Sequence, residues 1–488
     1  MAMPTDDHPS PSPGPGPIPP PLDRARTKAY RRLLPLLFAC YVVAYVDRNN
    51  VGLAKLKMVD DLPSFRVNTE TIFGLGQTAF FVGYLLLEIP GTLLVEKWSA
   101  RKWICRIMIS WGLVAALTSV VKVPWHFYGL RFLLGLGEAG FFPGVIVYLT
   151  HWFPARDRAR ALSWFLIATP IAQFISPRLS YYMLRIGTDE QVGKVLVHHP
   201  AIRGLQGWQW MYIGWGIPAV VLGVLIFFFL TDRPRDARWL DEDERDALEA
   251  ELAREKAGRK AAGGHMTLGQ ALANPKVLLL TAAYFFIVTG NYGVEIFLPS
   301  ILKDWYHPSD SLLAWVLMIP PVGSLVGQLF VGWNSDRTKE RRLHTAIPIY
   351  IGAAGLALTL FRGQPLAMMI VLFTATAMGT KAYLPAFWTL PSLFLTEAAA
   401  AGSIGLINSV GNLGGAVGPT MLGFLKDRTG SFLPGVLFLS LSMAVSATVI
   451  VALGLGRRDT KAAPPAGHPL ADPAVDAAGP AAAEAPVP

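Results

Sequence analysis

Apolar residues along this chain run in long blocks, without strict alternation or a narrow helical stripe. Each block approaches the roughly 20 residues a helix needs to cross the hydrocarbon core of a bilayer. Twelve such blocks can be drawn, at 33–56, 72–95, 104–121, 127–150, 161–184 and 208–231, then 277–302, 312–333, 346–360, 366–393, 403–424 and 432–455. The pattern predicts twelve membrane-spanning helices. Between the sixth and seventh blocks lies a charge-dense stretch that includes DEDERDALEAELAREKAGRK. It reads as a polar connector, 232–276, containing one solvated helix. Six spans, a connector and six more spans suggest two repeated halves, 31–231 and 277–456, with a site between them. The ends differ in kind. Residues 1–30 begin rich in Pro, Ser and Gly, and 457–488 are rich in Ala and Pro. Both are expected to be disordered tails, and the first lacks the apolar core of a cleaved signal.

Composition sharpens this picture. Of the 488 residues, 52% are hydrophobic and only 16% charged, against about 25% charged in soluble domains. So little charge cannot cover the surface of a soluble enzyme. The net charge of +9 is not gathered into one nucleic-acid-binding patch. Basic residues sit at 24–32, at Lys97, Arg101 and Lys102, at Arg156, Arg158 and Arg160, at 337–342, and at Arg457 and Arg458. If the spans alternate in direction, all of these lie on one side. The positive-inside rule makes that side the cytoplasm, with both termini there and the protein in the plasma (inner) membrane. Cys40 and Cys105 provide no disulfide framework or metal set. No phosphate-binding loop, cofactor signature or metal-ligand spacing is found, and His198 with His199 reads as part of a solvated outer loop.

Charges placed inside a membrane carry more information, because each costs about 2.5–3.5 kcal/mol near the bilayer centre. Here they are Asp47, Arg48, Glu88, Arg131, Glu138, Glu295 and Lys381, with Arg178 nearer the outer side. Neighbours on a helix point about 100° apart. Asp47 and Arg48 must therefore find partners on other helices. Arg131 and Glu138, seven residues apart, share one face. Glu295 shares a face with Asn291. Lys381 reads either as a second cation for a dicarboxylate or as a partner for Glu295. Arg178 reads as an interface residue and Glu88 as a structural or gating contact.

Two loops repeat a pattern of acid, base and then a further basic pair: Glu96, Lys97, Arg101 and Lys102 after the second span, and Asp336, Arg337, Arg341 and Arg342 after the eighth. With this pattern the chain resembles the major facilitator superfamily. The second loop fits that family's loop signature. The first departs from it at Thr92, Glu96 and Ser99. Arg131, Gly135, Gly137, Glu138 and Gly140 in the fourth span extend the match. Further segments make the chain similar to the anion:cation symporter branch: Tyr45 to Asn50, Phe81 to Pro90, Glu138 to Gly144, Phe387 to Pro391, and Asn408 to Gly415.

The resemblance implies an all-α integral membrane protein, with twelve transmembrane helices in two six-helix bundles. It implies proton-coupled uptake of a small organic carboxylate by alternating access, with Asp47 and Glu138 carrying protons. It places Arg48, Tyr45, Tyr84, Arg131, Gln173, Trp388 and Asn408 at or near the substrate; Lys381, which the family pattern does not include, stands beside them as a candidate second cation or a partner for Glu295. Glu96, Lys97, Arg101, Asp336, Arg337 and Arg341 would form a conformational latch. The expected partners are the carboxylate, protons and the bilayer, with no cofactor, metal or nucleic acid, and the expected state is a monomer. A uniporter, a sodium-coupled carrier and a non-transporting membrane sensor stand as alternatives.

Overall fold

The computed structural model describes residues 20–97, 99–192, 195–261, 274–361, 363–393 and 397–455. Its helices run in chain order as Pro20–Asp61, Thr69–Lys97, Ala100–Leu117, a broken fourth (Pro124–Glu138, Phe141–Trp152), a broken fifth (Ala155–Leu166, Ala168–Leu184) and Gly207–Phe229. The connector helix, Glu242–Ala261, follows. The second set is Pro275–Tyr306, a broken eighth (Asp310–Val316, Ile319–Thr338), Arg342–Leu358, a broken tenth (Leu366–Ala382, Leu384–Phe387), a broken eleventh (Glu397–Gly411, Gly414–Thr429) and Leu433–Leu453. Among the described residues, nine helical stretches are long and apolar enough to cross a bilayer. The fifth, ninth and eleventh spans complete the expected twelve. The fifth and eleventh are broken, and the ninth has 17 residues.

Packing follows the repeat. In the first half the third span lies against the sixth, and in the second half the ninth lies against the twelfth. The second packs on the fourth as the eighth packs on the tenth. Across the boundary, the second meets the eleventh and the fifth meets the eighth. Adding six to each span number maps one of these junctions onto the other, so the boundary has approximate two-fold symmetry. Close approach is allowed by small residues. A Cβ on Gly135 would stand 2.0 Å from the carbonyl oxygen of Phe80, so only glycine lets the fourth span lie so near the second.

Polar ties across the boundary concentrate on the face opposite the termini. Lys57 pairs with Asp310 at 2.8 Å, and Lys303 joins the same carboxylate at 2.7 Å. Asp427 accepts the backbone N–H of Thr71 at 2.7 Å, in the first turn of the second span, where an anion suits the helix dipole. Buried Lys55 pairs with Glu70 and stands 4.3 Å from the Phe297 ring centre.

On the terminal face the ion pairs join the first helix to the connector. Arg24 reaches Asp243 at 2.6 Å and Glu244 at 3.2 Å, and Lys28 reaches Glu244 at 2.7 Å. The first helix therefore begins at Pro20, and residues 20–30, expected within a disordered tail, are helical. Their composition hides the reason. Leu22, Ala25 and Ala29 are buried on one side, while Arg24 and Lys28 between them pair with acids more than 200 residues away and Arg26 with Asp157. Residues 1–19 and 456–488 lie outside the described residues.

A candidate carboxylate site between the halves

Arg48 stands about two-thirds of the way along the first helix and reaches into the space between the bundles. One Nη donates to Glu138 of the fourth span in a close ion pair. The other donates to the Tyr292 hydroxyl of the seventh span at 3.0 Å. The guanidinium lies 5.5, 5.8 and 5.9 Å from the ring centres of Phe80, Tyr45 and Tyr84. Three aromatic faces thus surround a cation whose fork would match a carboxylate. A single resident acid occupies one of its arms.

The geometry of the fourth span explains why Glu138 is there. Its first helical segment ends at Glu138, and the chain turns through Gly140, at φ +83°, before the helix resumes at Phe141. A side chain with a Cβ adopts that backbone region only with strain. The break thus places Glu138 at a helix end inside the membrane, where irregular backbone is tolerated only against protein or a cavity.

Asp47, next to Arg48, faces elsewhere, as helical geometry requires. The Trp111 indole donates to it at 2.8 Å, and its other oxygen has no hydrogen-bond partner among the described residues. Arg131 is 1% exposed and donates to Gln77 at 2.8 Å; its Nε and second Nη have no such partner. It also lies 4.8 Å from the Phe80 ring centre, so both arginines flank that ring.

A second acid–base pair lies in the other half. Lys381 pairs with Glu295 at 2.8 Å and donates to the Tyr45 hydroxyl at 2.9 Å. Gln173, from the fifth span, donates to the same Glu295 oxygen at 2.7 Å. The Lys381–Tyr45 and Gln173–Glu295 bonds cross between the halves. A cavity of about 90 Å³ adjoins them, lined by Asn49, Gln173, Asn291, Glu295, Thr380 and Lys381 among others. Asn408 donates to Glu88 at 2.8 Å, another bond across the boundary. Trp388 packs edge-on to Tyr284 with ring centres 5.1 Å apart.

The structure therefore gathers Tyr45, Arg48, Tyr84, Glu138, Gln173 and Lys381 around one central region. Asp47 and Arg131 stand behind it in the first half, and Asn408 meets Glu88. Arg178 lies away from the centre, among Tyr181, Tyr182 and Trp315, with ring centres at 4.9, 4.8 and 4.6 Å. Tyr292, Gln77 and Trp111 are missed by the sequence reading. Only Tyr292 had a usable signal, three residues from Glu295 and so on nearly the same helical face.

Of the latch residues, the side chains of Glu96 and Lys97 lie outside the described residues. Arg101 is held through its backbone N–H, which donates to Asp232 at 2.9 Å, and Asp336 pairs with Arg341 at 2.7 Å within one loop. Arg337 lies 5.5 Å from the Trp333 ring centre.

Comparison with known proteins agrees with this architecture. The sequence profile of the Major Facilitator Superfamily matches residues 37–419, and again 280–482. A provisionally assigned tartrate transporter of Agrobacterium vitis is 39% identical over 90% of this chain and 93% of its own. A quinolone resistance transporter of Acinetobacter baumannii is 37% identical over 90% and 97%. In structure, the xylose transporter XylE of E. coli, in a partially occluded inward-open conformation, superimposes with a TM-score of 0.68 at 13% identity. That match covers 87% of this chain and 98% of XylE, a likeness of fold.

Proposed function

Because the chain belongs to the major facilitator superfamily, and is therefore a multi-pass membrane transporter rather than an enzyme, we propose that it carries a small organic carboxylate into the cell together with protons. The observation that supports this reading is the Arg48–Glu138 pair. Arg48 cannot offer its full fork to a substrate while Glu138 holds one arm. A proton on Glu138 ends that competition, and a substrate carboxylate then takes the place of the glutamate. Proton and substrate thus favour the same state, which is the requirement for coupling. Asp47, buried and without a cationic partner among its hydrogen bonds, is the second proton carrier.

The need for protons follows from charge. An anion moving toward a negative interior is opposed by about 2.3 kcal/mol per 100 mV for each charge. One proton per negative charge removes that opposition and adds the pH gradient as drive. The ties that cross the boundary on the face opposite the termini fit one end state of alternating access. In this reading the termini are cytoplasmic, the protein sits in the inner membrane, and a monomer suffices because both halves are in one chain.

The test is uptake of a radiolabelled carboxylate panel, tartrate included, into proteoliposomes with an imposed inward proton gradient. Accumulation that collapses with a protonophore supports symport; accumulation driven by sodium, or no accumulation, rejects it. The likeness to a quinolone resistance transporter favours a second reading, outward movement of an organic compound. Loading vesicles of inverted orientation separates the two directions.

A further inference from the structure

We propose that Lys381 is the receptor for a second carboxylate, so that the substrate is a short dicarboxylate held between Arg48 and Lys381 across the Tyr45 ring. This rests on the carboxylate reading above and narrows it.

Tyr45 carries the geometry. The Arg48 guanidinium lies 5.8 Å from its ring centre and the Lys381 ammonium 5.5 Å. The two cations therefore stand no more than about 11 Å apart. A four-carbon diacid separates its carboxyl carbons by about 4 Å. A charge-assisted hydrogen bond adds about 3 Å at each end. The resulting reach of about 10 Å is close to that upper bound, so a four-carbon diacid is long enough to touch both cations.

Each cation already holds a carboxylate of the protein. Arg48 holds Glu138, and Lys381 holds Glu295. The pairs sit on opposite halves, so one ligand that engages both cations draws the halves together. Three features set the second pair apart from structural glue. It borders a cavity of about 90 Å³ rather than packed side chains. Glu295 keeps the Gln173 amide at 2.7 Å when Lys381 turns to another anion, so it is not left bare. Its other oxygen has no hydrogen-bond partner among the described residues, which leaves the carboxylate only partly satisfied where it stands. Lys381 is also the penultimate residue of the first helical segment of the tenth span, as Glu138 is the last residue of the first segment of the fourth. Spans four and ten are equivalent in the repeat. The two halves thus place one ionisable group each at matching breaks.

Calorimetric titration of the purified full chain with matched pairs, tartrate against glycerate and succinate against butyrate, tests this. Wild type is expected to bind each diacid at least about tenfold more tightly than its monoacid, the value of one added charged hydrogen bond. Lys381→Met is expected to lose that preference while keeping monoacid affinity. Because the single change strands Glu295, the double variant Lys381→Met with Glu295→Gln, which removes the pair together, is measured beside it. A diacid preference that survives in the double variant, or equal binding of both acids by wild type, overturns the assignment while leaving the carboxylate reading intact. Absence of binding by all four acids in wild type overturns both.

Discussion

At the scale of residues, the centre of this protein is a set of cations that already hold carboxylates. Arg48 is the most exacting of them. Its two Nη groups serve Glu138 and Tyr292 at once, which a single ammonium cannot do with the same planar geometry. Arg48→Lys is expected to lower carboxylate affinity more than tenfold although the charge is kept. Titration of the variant checks this, and near-normal affinity would show that the fork is not used. Much of the site was legible from residue type alone, because a charge inside a membrane is too costly to be idle. What escaped was the neutral partner of Asp47, of Arg131 and of Arg48, namely Trp111, Gln77 and Tyr292. Trp111 is one of 14 tryptophans and Gln77 one glutamine in an apolar helix; nothing local marks either as the partner of Asp47 or Arg131. Those pairings span 64 and 54 residues of sequence, and only the fold brings them together.

At the scale of elements, block hydrophobicity located the helices but not their breaks. The fourth and tenth spans read as continuous apolar runs, yet each is interrupted, at 139–140 and at Tyr383, beside Glu138 and Lys381. Apolar length measures insertion into lipid, which a kinked helix satisfies as well as a straight one. The start of the first helix was missed for a related reason. Residues 20–30 resemble a polar tail until the connector helix supplies their partners. The close second-to-fourth contact makes a prediction at this scale. Gly135→Val places a branched side chain where even a Cβ meets the Phe80 carbonyl at 2.0 Å. The two spans must separate, carrying Glu138 away from Arg48. Transport is expected to fall at least about tenfold even if the protein still inserts, and gel-filtration profiles with uptake assays distinguish this from simple misfolding.

For the whole molecule, the ties fall into two groups with different roles. The bonds across the boundary at the face opposite the termini must break for the carrier to open there. The clamp between the first helix and the connector lies within one side of the boundary and can persist throughout. Its pH behaviour can be stated. Burial alone would raise the Glu244 carboxyl, but hydrogen bonds from Lys28, from the Asp241 backbone and from Arg24 outweigh that and hold it below the usual glutamate range. A depressed carboxylate contributes stability above its unfolded value, near 4.3, and loses it only as pH falls through the lower folded value. The clamp is therefore constant between about pH 5 and 8. Glu244→Gln is expected to lower the melting temperature by a few degrees and to leave the pH profile of uptake unchanged. A profile displaced by that substitution would place the proton switch in the connector rather than in the membrane.

The central claim is that one proton-bearing acid and the substrate compete for the same arginine. It is tested most directly by Glu138→Gln in proteoliposomes containing a pH-sensitive dye. Glutamine keeps the shape of a protonated glutamate and cannot release a proton. The variant is expected to exchange carboxylate across the membrane at a measurable rate, while carboxylate uptake no longer acidifies the lumen and an imposed pH gradient no longer drives accumulation. If the gradient still concentrates substrate inside vesicles containing this variant, Glu138 is not the coupling acid and the mechanism fails.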